Sequence, residues 1–353
     1  MQLLNKHIGN SVLAAIILVL VVIVGLDVIS AIIDQLGDLE GNYDFNEALI
    51  YVLLTLPGRI HEYIPFAALV GCLIGLGTLA SQSELIIMRG AGISTIRIIW
   101  MVMKPALILM LVGLILSEFI APPAEQMADR RRASAQYGDG VVASRYGLWN
   151  REGLEYMHFS VVESPQSLKG VTLFRFDANK QLKQFLFAQA ASHTDEGWLF
   201  SNVDVTYVEE NATKKEHLDA LLWQADLTPE LLKQLVIKPD NLSMSGLWDF
   251  SQYLAGQGLS AGEYKLSFWS KVLQPLGTAS LVLIAISFIF GPLREVTMGY
   301  RIFVGVIVGI VFRTSQDMLG PSSLVFGFAP VYAVLLPIIV CVVVGGILIR
   351  RGT

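Results

Sequence analysis

Three groups of ionisable residues carry most of the chemistry open to this sequence. The first is the segment Gln82 to Ile93, where polar Ser83, Glu84 and Arg89 are interleaved with apolar Leu85, Ile86 and Met88. A short amphipathic helix of this kind can seat in a partner's groove. A carboxylate on it can then hold a partner arginine through charge-assisted hydrogen bonds. The plain alternative is a solvated loop glutamate. The second group lies inside apolar runs: Asp27 and Asp34, seven apart and so on one helix face near Ser30, and Arg313 with Gln316 and Asp317 close by. Ionisable groups at such depth face a bundle interior or a cavity. Arg313 there either meets an anionic ligand, bidentately where geometry allows, or forms an ion pair with Asp27 or Asp317. The third group is the run Arg130-Arg131-Arg132, which reads as an anion contact or as a solvated helix face. Arg294 and Arg301 flank one short loop; they serve as topological anchors, with Arg301 also a candidate anion contact.

Other chemistries find no support. The five histidines are scattered, without H-x-x-x-H or C-x-x-C spacing, so neither a metal nor a cofactor is expected. Cys72 and Cys341 sit in apolar runs and read as small buried hydrophobes. There is no G-x-S-x-G and no convergent pair of carboxylates, which argues against an enzyme. The net charge of −5 argues against a nucleic-acid surface.

The elements that must position these residues are mostly membrane spans. Of the 353 residues, 54% are apolar and only 16% charged, and the mean hydropathy is +0.57. The apolar excess falls in the first third and the last quarter of the chain. A bilayer core about 30 Å thick needs about 20 apolar helical residues. Six segments qualify: Val12 to Ile33; Tyr63 to Ala80, with a helical approach from Ala48 broken near Pro57; Ile98 to Ala121; Val272 to Phe290; Ile302 towards Met318; and Leu324 to Ile349, bent by Pro330 and Pro337. Loop 34–47 holds Asp34, Asp38, Glu40, Asp44 and Glu47 and no Lys or Arg, and loop 319–328 has neither. The opposite side holds Lys6, Arg89, Arg97, Arg294, Arg301, Arg350 and Arg351. The positive-inside rule therefore predicts a multi-pass inner-membrane protein with both termini cytoplasmic and the segment between spans three and four periplasmic.

That segment divides the chain into 1–121, 122–265 and 266–353. It starts with a charged helical stretch, Glu125 to Gln136. Short runs rich in β-branched and aromatic residues follow: Tyr156 to Val162, Val171 to Phe176, Leu182 to Gln189, Trp198 to Val208 and Leu218 to Gln224. Turn signals at Ser164-Pro165, Asp177-Ala178-Asn179 and Glu196-Gly197 separate them, and the spacing predicts a sandwich or open roll. Such a sheet could bind lipid between its layers, offer an edge strand to a partner sheet, or simply pack. Trp248 to Leu254 predicts a short amphipathic helix. Gly71-x-x-x-Gly75 and Gly305-x-x-x-Gly309 mark close helix approaches.

Several motifs together resemble the LptF/LptG family of lipopolysaccharide export permeases. Ser83-Glu84-Leu85 with Met88 and Gly90-Ala91-Gly92 matches the family's cytoplasmic segment after span two. Ala121-Pro122, Glu125-Gln126-Met127-Ala128, Tyr137-Gly138 and Gly147-Leu148-Trp149 resemble the entry to its periplasmic domain. Leu242-Ser243, Ser245-Gly246-Leu247, Tyr264, Trp269-Ser270-Lys271 and Gln274-Pro275-Leu276 resemble the return. Ser287 to Arg294 (SFIFGPLR), with Met298-Gly299 and Arg301, matches best. The resemblance covers both membrane halves and both junctions and weakens in the middle of the insert.

The resemblance implies a polytopic α-helical membrane protein, with six transmembrane helices and a periplasmic β-jellyroll-like domain between helices 3 and 4. It implies an LptF-like sister permease, an LptB-like ATPase dimer and an LptC-like membrane protein as partners. The substrate would be lipopolysaccharide, extracted from the inner membrane and passed to a periplasmic bridge. It places Glu84 on the family's coupling-helix glutamate, with Ser83, Leu85, Met88 and Arg89 around it, and sets the subunit seam at spans one and five, which Gly305 and Gly309 would serve. ATP would be hydrolysed on a separate subunit, because G-x-x-x-x-G-K-[ST] is absent from this chain. One departure stands out. The family carries lysines at the outer end of span one, where this chain has Ala31, Gly37 and Asp38. Arg313 and the Arg130–Arg132 cluster are therefore expected to supply the charge for lipid phosphates. The alternatives are LptF itself, which the SFIFGPLR segment and the Ser-Glu-Leu start disfavour, and a scaffold that displays a binding domain and moves nothing.

Overall fold

Among the described residues, six helices are long and apolar enough to cross a membrane. The computed structural model describes residues 2–39, 41–137, 148–164, 166–194, 196–208, 212–224, 227–229, 232, 238–256, 260–290 and 296–352. Glu40, Gly138, Gly147, Pro165 and the Gly291–Arg294 half of the SFIFGPLR motif lie outside the described residues. The helices are α1 (Gln2–Leu36), α2 (Phe45–Ser81), the short α3 (Glu84–Gly90), α4 (Thr95–Ile115), α5 (Ala121–Tyr137), α6 (Met244–Gly256), α7 (Gly262–Phe290), α8 (Met298–Phe326) and α9 (Pro330–Gly352). The chain forms two compact units: 1–34 with 55–124 and 265–353, and 35–54 with 125–264.

In the helical unit α2 is the central element. A methyl at Gly71 would meet the Ile16 Cα at 2.4 Å and one at Gly75 the Val12 Cα at 2.9 Å, so α1 rides directly on α2. Gly305 and Gly309 of α8 face Leu73 and Phe66 of α2. The close approach expected of Gly305-x-x-x-Gly309 at a subunit seam is thus made within the chain, because α2 lies between α1 and α8. Leu69, Leu73, Leu76, Ile98, Val102, Val282 and Ile286 fill the core behind them.

Two expected boundaries move. α2 runs unbroken through Pro57 and Pro65. A proline deprives the carbonyl four residues back of its donor, and for Pro65 that carbonyl is His61 O. The Gln274 side-chain amide of α7 donates to it at 2.8 Å, so the freed acceptor is satisfied within the bundle. The fifth span extends to Phe326, and the sixth begins at Pro330 instead of Leu324. Gly327 adopts the left-handed conformation that ends α8, its N–H bonding Ser323 O, and Pro330 at the first helical position starts α9. Between α4 and α5 the helix widens to a π turn over Leu116–Ile120, where the Ala121 N–H reaches Leu116 O. Pro122 and Pro123 follow directly and cannot donate, which favours this local rearrangement.

The second unit is built on one antiparallel sheet of six strands in sequential order: β1 (Leu148–Glu152), β2 (Glu155–Ser164), β3 (Ser167–Phe176), β4 (Leu182–Thr194), β5 (Gly197–Val208) and β6 (Thr213–Trp223). This is the open-roll alternative, with β1 as an additional strand. Alternation sends Met157, Phe159, Leu173, Leu186, Trp198, Phe200 and Val205 to one fully buried face, closed by Leu227 and Leu232. The Trp198 indole donates to Leu227 O at 2.8 Å, so the largest core side chain leaves no orphan donor. Asp177 shapes the β3–β4 turn by accepting from the Asn179 and Gln181 N–H groups.

Candidate functional site

The segment around Glu84 folds as predicted into a helix, and its faces are now defined. Ser83 takes a left-handed φ of 62° that turns the chain sharply out of α2. Leu85 and Met88, three apart, are buried and pack into the core of the helical unit. Ile87 is 68% exposed on the opposite side. Glu84 is partly exposed and meets the His7 imidazole Nε2 at 3.0 Å, which ties the start of α1 to α3. Arg89 is partly buried in the last turn, where its charge complements the helix dipole.

The intramembrane charges are joined in pairs, only one of which the sequence suggested. Asp27 of α1 receives Arg59 Nη1 and, at 2.8 Å, the Tyr63 hydroxyl, both from α2. Arg313 of α8 donates Nη2 to Glu62 of α2 at 2.7 Å and Nε to Asp317 at 3.1 Å. The expected Asp317 partner is therefore present. The expected Asp27 partner is engaged elsewhere, because α2 stands between α1 and α8 and presents Arg59 and Tyr63 to one and Glu62 to the other. Nη1 of Arg313 has no partner among the described residues. Asp34 is exposed and also unpartnered among them. Arg301 is 5% exposed and donates to Gly77 O at 3.2 Å, so it is a buried tie between α8 and α2 as well as a charge at the end of a span.

In the other unit the triple arginine is divided. Arg131 makes a bidentate pair with Glu47 at 2.8 and 3.1 Å. Arg132 reaches Asp38 at 2.8 Å and lies over the Tyr43 and Tyr51 rings, 5.8 and 5.5 Å from their centroids. The α1–α2 connection and the start of α2 are thus stapled to α5, with further bonds from the Gln136 side chain to Asp38 O and from the Asn42 N–H to Ala135 O. Tyr43 is buried, donates to Gln35 at 2.7 Å, and its phenol is pushed up to about 12, chiefly by burial. Arg130 is exposed, donates to Gln126 O, and has no carboxylate partner among the described residues.

Sequence reasoning missed His7, Arg59, Glu62 and Tyr63. Their signal was present: Arg59, Glu62 and Tyr63 stand three and four apart, the spacing that gathers side chains on neighbouring helix faces, within a segment flanked by prolines.

The whole chain has relatives. Residues 6–351 match the family described as lipopolysaccharide export system permease LptF/LptG. The chain is 36% identical over 342 residues to the lipopolysaccharide export system permease protein LptG of Escherichia coli strain K12, covering 95% of this chain and 94% of that protein. It is 35% identical over 344 residues to the protein of the same name from Haemophilus influenzae, covering 96% of each. A match of this extent, with six apolar helices and an antiparallel sheet domain between the third and fourth, places the chain in the LptF/LptG permease family.

Proposed function

We propose that this chain is the LptG-type permease subunit of an inner-membrane exporter that extracts lipopolysaccharide and hands it to a periplasmic bridge. Its relatives are named LptG, which favours this subunit over LptF. The termini and α3 are cytoplasmic and the sheet domain is periplasmic, as the Lys and Arg distribution supports. Its partners are an LptF-like sister permease, two LptB-like ATPase subunits and an LptC-like membrane protein. ATP is hydrolysed on the LptB-like subunits.

The observation that carries this reading is the division of labour on α3. Leu85 and Met88 anchor the helix in the bundle, while Ile87 and the partly exposed Glu84, beside His7, face the ATPase. A push on that face is transmitted to the spans through a helix that cannot slide independently. Ser83 and Arg89 set its entry and exit. For the lipid, Arg130 and the open nitrogen of Arg313 are the cations best placed to meet phosphate, each in its own unit. Arg131, Arg132 and Arg301 support structure, and Asp27 and Asp34 act through placement, not by binding an anion.

The test is to co-express the chain with its candidate partners, purify by a tag on this chain, and measure ATP hydrolysis in liposomes with and without lipopolysaccharide. Co-purification and a lipopolysaccharide-dependent change in turnover are expected. Glu84→Ala should dissociate or uncouple the ATPase, whereas Leu85→Ala should lower the stability of the chain itself. An intact complex in which Glu84→Ala behaves as wild type removes Glu84 from coupling. Failure of any ATPase to associate favours a scaffold.

A further inference from the structure

The outer face of the β-sheet is divided in an unusual way. A sheet with one packed face ordinarily shows polar residues on the other. Here the core face is already closed, with Met157, Phe159 and Leu173 fully buried. The opposite face of β1 to β4 nevertheless carries a row of rings. Trp149 stacks near Phe174, with centroids 6.1 Å apart and planes at 18°, and Phe174 near Phe185 at 6.3 Å and 28°. Tyr156 and Phe176 meet edge to face at 5.4 Å. Trp149 is 59% exposed. Beside this row the same face of β5 and β6 carries Asp204 paired to His217 at 2.8 Å and an exposed Lys215, with Leu199 and Leu222 exposed further along. Folding needs an apolar face once, so the second apolar half calls for a ligand.

The rings line an open groove of about 430 Å³, within the usual range for ligand sites. Its two charged lining residues are both cations, Arg151 and Lys180. Arg151 lies 5.1 Å from the Tyr156 centroid and donates Nε to Gly153 O. Neither cation has a carboxylate partner among the described residues. Two acids near the groove are committed elsewhere: Glu155 to Arg175 and Trp223, and Asp177 to Lys183 and its own turn. An elongated apolar surface with unneutralised cations is complementary to an anionic amphiphile.

We infer that this groove is a lipid subsite on the outside of the sheet domain, taking an acyl chain of the transported lipopolysaccharide along Trp149, Tyr156, Phe174 and Phe176, with an acidic group of the same molecule at Arg151 and Lys180. The inference rests on the proposed function for the identity of the amphiphile. It is separate from the closed core, where no chain could enter without displacing Phe159 or Trp198.

The test uses the full complex in nanodiscs, with a photo-crosslinking phenylalanine analogue at position 149 or 174, or at 215 on exposed β6. Lipopolysaccharide adducts are expected at 149 and 174 and not at 215. Arg151→Glu with Lys180→Glu should lower the yield at 174 several-fold while co-purification of the partner subunits with this chain shows that the complex is intact. Lack of adducts at 149 and 174 in a complex that still responds to lipopolysaccharide overturns the subsite. So does an equal yield with phospholipid alone, capture of a protein in place of lipid, or a yield indifferent to charge reversal. If lipopolysaccharide does not change turnover in the unmodified complex, the fault lies with the proposed function instead.

Discussion

Replacing Gly71 and Gly305 by alanine tests whether α2 is the rigid centre of the helical unit. Both new methyls clash, but against different obstacles. At Gly71 the methyl would sit 2.4 Å from Ile16 Cα and 2.8 Å from Ile16 N, both backbone atoms. Ordinary carbon contact begins at about 3.5 Å, so α1 must retreat by roughly 1 Å from α2. A gap of that size forfeits a quarter to a half of each contact across the seam. With ~60 atom pairs at ~0.15 kcal/mol each, the loss is about 2–4 kcal/mol. At Gly305 the obstacle is Leu73 Cδ1 at 2.3 Å, while Leu73 Cγ is already at 3.8 Å. Turning that side chain off its rotamer costs about 1 kcal/mol and leaves both helices in place. Gly71→Ala should therefore be about two to four times as destabilising as Gly305→Ala in reversible unfolding of the chain in bicelles. Equal losses, or a Gly71→Ala chain as stable as wild type, would refute the packing argument.

Two further perturbations probe the sheet-bearing unit. The Arg131–Glu47 staple is partly exposed, so its contribution is small; Arg131→Glu and Glu47→Arg should each destabilise slightly, and the double exchange should recover most of the loss in a double-mutant cycle. If neither single change alters stability, the staple contributes nothing. Tyr43 gives a pH signature. Its folded-state pKa of about 12 lies above the ordinary 10.0, so its contribution is complete below pH 10 and falls as the pH rises from about 10 to about 12. Tyr43→Phe should therefore be less stable than wild type at pH 8, having lost the bond to Gln35, and the gap should close across that window. A gap that stays constant to pH 12 means the phenol is not held protonated by the fold.

Much of the architecture was legible because membrane spans and alternating strands write their period into the sequence. Val12 to Ile33 and Val272 to Phe290 lie wholly within α1 and α7. What escaped was set by interactions that no period records. Pro57 looks like a helix break in isolation, but α2 passes through it, because a bundle can serve the freed carbonyls as Gln274 serves His61 O. β1 was invisible because Leu148–Glu152 reads LWNRE, short and half charged, and it is a strand only by virtue of pairing with β2. On α3 the amphipathic pattern was clear and its direction was not. Seven residues make two turns, and only the neighbouring helices decide that Leu85 and Met88 point inward and Ile87 outward.

The charged residues show why composition alone overstates how much cation is available to a ligand. Counted along the chain, Arg130, Arg131, Arg132 and Arg313 are candidates for anion contact, with Arg301 first a topological anchor. Folding ranks them. Asp38, in the α1–α2 connection, and Glu47, in the first turn of α2, belong to an acidic stretch whose lack of Lys and Arg signals topology, and the same acidity makes it the counterion of α5. Arg301 is withdrawn into the α2–α8 seam by a main-chain carbonyl, where a lysine would present no planar fork. Arg313 is held by two carboxylates, so a phosphate reaching it must either use Nη1 or displace Glu62. The second route exchanges one anion for another and leaves Glu62 unpaired, which makes it costly within a span. Arg130 bears no such commitment. Anion binding in this chain should therefore depend more on Arg130 than on its two neighbours, even though the three are adjacent in sequence and identical in type.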